Sequence, residues 1–214
     1  MLRKCIDIHT HVYLPRYINM LKSRSQVPRI FSSNGTDRLV ILPGEDLDPS
    51  TAIGRPIGPD YFNVDAKIGF MDLHGISHSV ISLANPWLDF LPASEAQSMA
   101  TLLNNDLQEL CKHPRLNAFG VLPTLSAHGS ILELERISKL DQLVGVIMGT
   151  HGLGKGLDDP ELEPVFAKAS ELGLVVFLHP HYSVPASLFG PIENGHVLPL
   201  ALGFPFETTI VFSC

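Results

Sequence analysis

Apolar residues along this chain fall into two alternating patterns: short continuous runs, and longer stretches in which they return every three or four positions. The first run, Cys5-Ile6-Asp7-Ile8, is largely apolar and β-branched and predicts a buried strand ending near His9. Pro15 to Arg24 reads as a short helix. Ser32 to Pro59, rich in Gly, Pro, Ser and Asp, reads as a long and mostly irregular insertion, within which Arg38 to Leu42 supplies a short strand or hairpin arm. Loops of that length in a compact domain tend to be lids or binding loops. From Asp60 onward the alternation becomes regular. A helix to about Leu73 stops at Gly75, and the strand Ser79 to Leu83 follows. A helix over Ala93 to His113, with Met99, Leu102, Leu103, Leu107 and Leu110 at helical spacing, precedes the strand Leu116 to Leu122. The pattern then repeats with a helix at about Ala127 to Lys139, the strand Val144 to Met148, a helix from about Pro160 to Leu172 closed by Gly173, and the strand Leu174 to Leu178 ending at His179. A last helix is predicted within Val197 to Phe212.

Strands alternating with helices imply β-α-β units and a parallel sheet, and near-continuous apolar strands suit burial on both faces. About five such units can be counted, against the eight of a closed (β/α)₈ barrel. The expectation is therefore one α/β domain over 1–214, a partial barrel with an insertion at about 32–59, stopping short of closure at Val211-Phe212-Ser213-Cys214.

Composition narrows the function classes. With 45% hydrophobic and 17% charged residues, the 214-residue chain has the composition of a globular domain able to bury a core. A formal net charge of -7 argues against non-specific nucleic-acid binding. No apolar stretch approaches the roughly 20 residues that span a bilayer, and Met1-Leu2-Arg3-Lys4 leads into a strand rather than a signal sequence, so a cytoplasmic location without membrane attachment is expected. Cys5, Cys111 and Cys214 are too few and too scattered for a disulfide framework, which points to a reducing compartment. Cys5, on the first strand, is expected in the core.

Chemistry enters with the histidines. In Asp7-Ile8-His9-Thr10-His11, two imidazoles two residues apart on a strand point to one side, with Asp7 expected on that same side one step deeper, and both stand at the strand's C-terminal end. That rim carries the chemistry of parallel α/β folds. Phe177-Leu178-His179-Pro180-His181 sends a third imidazole from another strand end to the same rim, with Pro180 ending the ladder. Three imidazoles from two strands suit a catalytic zinc, which commonly takes three protein ligands and keeps a position open. The spacing alone is also consistent with ordinary polar residues at strand ends.

The motifs Asp7-Ile8-His9-Thr10-His11, Val80-Ile81-Ser82-Leu83-Ala84-Asn85-Pro86-Trp87, Gly149-Thr150-His151-Gly152-Leu153-Gly154-Lys155-Gly156, Phe177-Leu178-His179-Pro180-His181-Tyr182 and Gly195-His196-Val197-Leu198-Pro199 running to Glu207-Thr208-Thr209 together resemble the metal-dependent amidohydrolase-related decarboxylases. These are the aminocarboxymuconate-semialdehyde decarboxylase-like family. The segments Ser82 to Trp87, Leu153 to Pro160 and His179 to Tyr182 are most similar to its uracil-5-carboxylate (iso-orotate) branch. The resemblance implies a (β/α)₈ barrel and non-oxidative, zinc-dependent decarboxylation of a planar carboxylate such as uracil-5-carboxylate or aminocarboxymuconate semialdehyde. It implies that His9, His11 and His179 are zinc ligands, that Arg55 grips the substrate carboxylate and that Asn85 contacts the ring. Both substrate roles have physical sense: the planar fork of Arg55 suits bidentate carboxylate recognition, and the amide of Asn85 can donate and accept. The resemblance also implies a catalytic aspartate and a histidine expected beyond Cys214, so that no catalytic residue is assigned within the chain, which is expected to be C-terminally truncated, and a homodimer when complete.

His181 is expected to line the pocket, or else to lie in a surface loop, and His151 to face substrate, or else to serve a turn. The glycine-rich run around Lys155 lacks the spacing of a phosphate loop, which excludes nucleotide binding through it. His74, His78, His113 and His128 read as solvent-exposed, and Trp87 and Phe90 as walls for a flat ring or as loop packing. Two alternatives stand beside the decarboxylase: a hydrolase using the same metal ligands, and a catalytically silent fragment.

Overall fold

The computed structural model describes residues 5–42, 45–47, 49, 52–123, 125–181 and 199–211. Strand β1 (Cys5–Val12) is followed by helix α1 (Pro15–Lys22), the strands β2 (Arg29–Ser33), β3 (Thr36–Val40) and β4 (Arg55–Ile57), and a single 3-10 turn at Pro59–Tyr61. The regular part then runs α2 (Val64–Leu73), β5 (Ile76–Leu83), α3 (Ala93–Leu110), β6 (Leu116–Val121), α4 (Ala127–Ile137), β7 (Leu143–Gly149), a 3-10 turn leading into α5 (Glu163–Glu171), and β8 (Val175–His179). The segment Pro199–Gly203 and helix α6 (Phe204–Val211) complete the described chain; the outer ends of the helix predicted over Val197 to Phe212 lie outside the described residues.

Five strands form one parallel sheet in the order β1-β5-β6-β7-β8. Sequential strands thus lie side by side, each reached through a helix, as in an open segment of a (β/α)₈ barrel. The apolar stripe of α3, including Ala96, Ala100, Leu103 and Leu107, is fully buried, as are Leu134 and Ile137 of α4 and Val165 and Ala169 of α5. Local chemistry sets the helix starts: the Asn63 side chain accepts from the Ala66 N–H, and Ser126 Oγ accepts from the Gly129 N–H at 3.0 Å. Between the helices and the sheet, Asn104 replaces a ladder partner at the end of β6. It donates to the Val121 carbonyl at 2.9 Å, accepts from the Val121 N–H at 2.8 Å, and is itself held by Glu133 at 2.6 Å.

The insertion gains detail, and two expectations about β1 need correction. Within the insertion expected at about 32–59, β3 overlaps the short strand expected at Arg38 to Leu42, and it forms a three-stranded antiparallel sheet with β2 and β4, in which Arg38 pairs with Pro56 and Leu39 with Arg55. Asn34 and Gly35, both at positive φ, make the tight turn between β2 and β3. The start of β1 is not buried, because β1 is an edge of the sheet: Ile6 and Ile8 are 57% and 53% exposed, and Cys5 is exposed rather than in the core. Finally, Asp7 does not share a face with His9. The register shifts between Asp7 and Thr10, and Asp7 meets Lys67 Nζ of α2 at 3.1 Å together with Thr10 Oγ1, on the helix-covered side.

Gly145 of β7 sits opposite Val175, and a Cβ at that position would run into the Val175 carbonyl. Gly145→Ala is expected to cost about 2 kcal/mol by forcing β7 and β8 apart, read as a lower midpoint in denaturant unfolding; an unchanged midpoint would show that β8 is not held by this close approach.

Candidate metal centre and adjoining cavity

The sheet is curled, so its two edge strands bring their C-terminal ends together. His9 and His11 from β1 and His179 from β8 place ligand nitrogens within 4.8 Å of one another, with His9 Nε2 and His179 Nε2 3.1 Å apart. In a tetrahedral zinc site with Zn–N of 2.0–2.1 Å, two nitrogens stand about 3.4 Å apart. The observed spacing fits one ion shared by three imidazoles.

The rings are held for that task. His11 Nδ1 lies 2.9 Å from Ser82 Oγ, which in turn donates to the Thr10 carbonyl, so Nδ1 is the donor and Nε2 is left bare. His179 Nδ1 donates to the Pro180 carbonyl at 2.6 Å, which likewise frees Nε2 for the cluster. The Trp87 ring stands edge-on to His179, with centroids 5.5 Å apart, and is anchored through Nε1 to the Leu83 carbonyl at 3.0 Å. Burial, then the neighbouring His179 and His9, pushes His11 down to about 3; burial chiefly lowers His179 as well. Both rings are therefore neutral at physiological pH, the form a metal requires.

Beside the histidines lies a cavity of about 240 Å³ lined in part by His11, Tyr13, Arg55, Asn85, His181 and Phe204. A dry cavity of about 150 Å³ takes up benzene, so this one accepts a single ring with its substituents. One wall comes from the antiparallel sheet, through Leu39, Arg55 and Ile57. The opposite side comes from the loops after β5 and β8. Tyr13 Oη donates to the Asn85 carbonyl at 3.0 Å, and burial raises the Tyr13 hydroxyl well above its usual range, so it stays protonated. Asn85 Nδ2 sits 2.9 Å from His181 Nδ1. As the amide nitrogen can only donate, His181 accepts there and carries its proton on Nε2. Burial, with His179, His151 and Arg55 nearby, lowers His181 to about 4.

The structure thus brings Arg55, Asn85 and His181 to one cavity with His11. His151 is exposed and does not line it, because its side chain leaves the turn after β7 toward solvent while buried Thr150 points inward. Trp87 and Phe90 do not wall the cavity either: Trp87 packs against His179 and His181, and Phe90 lies under the Arg24 guanidinium at 4.3 Å. Two residues that stand in the motifs quoted above take roles the sequence does not assign. Ser82 is a polar residue inside an apolar strand, which was a readable signal. Glu207 of α6 is buried, accepting from the His181 N–H at 3.0 Å and from the Thr150 hydroxyl, partners far from it in the sequence.

Comparison with known proteins agrees with this architecture. Residues 6–205 match the family described as Amidohydrolase. Among curated proteins, 2-amino-3-carboxymuconate-6-semialdehyde decarboxylase of Dictyostelium discoideum is 29% identical over 96% of this chain and 55% of its own length. Among solved structures, Metarhizium anisopliae IDCase in its apo form superposes with a TM-score of 0.92 at 44% identity, over 99% of this chain and 60% of that one. The 5-carboxyvanillate decarboxylase LigW2 of Novosphingobium aromaticivorans, crystallised with manganese and a nitrobenzoic acid, shares the fold at a TM-score of 0.74 and 20% identity, over 99% of this chain and 60% of that one. The chain spans little more than half the length of these relatives.

Removing the Ser82 hydroxyl frees the His11 ring to rotate. Ser82→Ala is expected to weaken metal affinity about tenfold, measured by competition with a chromophoric chelator; unchanged affinity would show that Ser82 does not orient His11. Acid should also act through these rings. An unfolded chain titrates its histidines near pH 6.5, whereas His181 takes its proton only at about 4 and His11 at about 3. Between those values the unfolded state binds more protons, so stability falls as pH falls. The metal-free chain should therefore melt lower at pH 4.5 than at pH 7, with a shallower dependence in His181→Gln.

Proposed function

Because the chain belongs to the amidohydrolase family, we propose that it acts in the non-oxidative decarboxylation of a planar ring carboxylate, with uracil-5-carboxylate as the leading substrate. The observation that carries this reading is that His11, one of three imidazoles able to hold one metal ion, lines the same ring-sized cavity as Arg55, an arginine suited to a carboxylate.

His9, His11 and His179 would hold zinc, which three neutral nitrogen donors suit; manganese, present in the LigW2 structure, is the competing candidate. A bound ion of this kind supplies Lewis acidity toward the substrate's carboxylate and a neighbouring ring oxygen. Arg55 grips the carboxylate from the β4 side of the cavity. Asn85, with its Nδ2 committed to His181, turns its Oδ1 to a ring N–H, and the Nε2–H of His181 serves a ring carbonyl. Held in this way, the carboxylate stands across the ring from the groups that read its edge, which is the positioning a C–C cleavage needs. The aromatic and apolar wall, including buried Tyr13 and half-buried Phe204, limits the access of water to the ring. No proton donor for the ring carbon is assigned among the described residues. The setting we propose is cytoplasmic, and the assembly a homodimer.

The test is an assay of the zinc-loaded chain with uracil-5-carboxylate, following carbon dioxide and uracil together. Equimolar release, with kcat/KM reduced about 100-fold or more in Arg55→Ala, is the expected result. Ring-opened product without carbon dioxide would establish the hydrolase instead. Metal binding without any turnover would mark a silent chain.

A further inference from the structure

The arginine assigned to the substrate carboxylate does not stand alone. Arg55 Nη2 donates to Glu45 Oε1, and the other oxygen of the same carboxylate, Oε2, accepts from the backbone N–H groups of Ile41 at 2.8 Å and Leu42 at 2.9 Å. Ile41 and Leu42 themselves line the cavity, as Arg55 does. Glu45 is nearly buried, whereas the Arg55 side chain is close to half exposed. The fixed partner of the pair is therefore the glutamate. It is tied to the end of β3 by two main-chain donors, and the long arginine is tied to it.

We infer that Glu45 is a positioning residue for carboxylate recognition: it anchors one corner of the Arg55 guanidinium to the cavity wall, so that the remaining donors of the fork are presented to an incoming carboxylate in one orientation. This rests on the proposed role of Arg55. A competing function for Glu45, as an internal carboxylate that the substrate must displace, does not suit the geometry, because leaving Arg55 would still leave Glu45 pinned beside the cavity by Ile41 and Leu42. Sharing does suit it. The guanidinium has five N–H donors, and one is used by Glu45. Two backbone amides also draw charge from the Glu45 carboxylate, which leaves Arg55 attractive to a second anion. An arginine free to sample its rotamers would lose side-chain entropy on each binding event; held by Glu45 it has already done so.

The consequence is selective. Glu45 should matter to ligands that carry a carboxylate and not to the same ring without one. Calorimetric titration of the zinc-loaded chain with uracil-5-carboxylate and with uracil, in wild type, Glu45→Gln, Arg55→Ala and the double variant, separates the possibilities. The expected result is that Glu45→Gln weakens uracil-5-carboxylate by about tenfold and leaves uracil unchanged, while adding it to Arg55→Ala weakens the carboxylate no further. If Arg55→Ala weakens the carboxylate but Glu45→Gln leaves it equal or tighter, the positioning role is overturned and the assignment of Arg55 stands. Equal loss for both ligands in Glu45→Gln would reduce Glu45 to a structural tie for the wall, which also overturns it. If Arg55→Ala leaves the carboxylate unaffected, the underlying assignment fails, and the role of Glu45 with it.

Discussion

Curvature of the parallel sheet is the constraint on which the site depends. Neighbouring strands lie about 4.8 Å apart, so in a flat sheet the first and fifth strands would be about 19 Å apart. Yet these are the strands that carry His9 and His179, whose Nε2 atoms are 3.1 Å apart. Only a sheet coiled toward a barrel lets its edges approach in this way. Close backbone contact at Gly145 and the buried stripes of α3 and α4 sustain that coil from outside. What these packing residues determine is therefore chemical: the distance between ligands at opposite edges of the sheet.

Two of the three histidines have the ring nitrogen that faces away from the cluster held by a partner at the strand ends themselves. Ser82 serves His11, and the Pro180 carbonyl serves His179. The adjoining cavity is built differently. Asn85 and His181 come from connections and Arg55 from β4, and each is tied to a second element: Asn85 to Tyr13 and His181, His181 to Glu207 of α6, and Arg55 to Glu45. The three imidazoles inherit the rigidity of the sheet, while the polar groups of the cavity depend on a hydrogen-bonded chain across the rim. Preorganisation of that kind is what a small polar substrate needs, since it offers few contacts with which to order a loose site.

Much of this was legible in the sequence because the signals are local. The strand-helix alternation, the H-x-H spacing and His179 at a strand end are short-range patterns, and the structure brings those three imidazoles together. What could not be read arises from tertiary context. The turn residues around Asn34 and Gly35 looked like loop and proved to be a hairpin, because nothing in a short polar strand reveals its partner. Asp7 was placed on the wrong face because period-2 reasoning cannot anticipate a register shift. Cys5 and Ile6 read as core because an apolar strand does not announce that it is an edge. Glu45 stands in no motif, and Glu207 stands in one that assigns it no role; what they do is set by partners ten or more residues away or in the main chain.

The central claim is that three imidazoles from opposite edges of the coiled sheet bind one metal ion. Native mass spectrometry of the chain purified with excess zinc tests it most directly, alongside His9→Ala, His11→Ala and His179→Ala. The account predicts one zinc per chain in the wild type and loss of that zinc in each variant, with far-ultraviolet circular dichroism unchanged. Zinc retained after removal of His179, or a folded wild-type chain that takes up none, would contradict it.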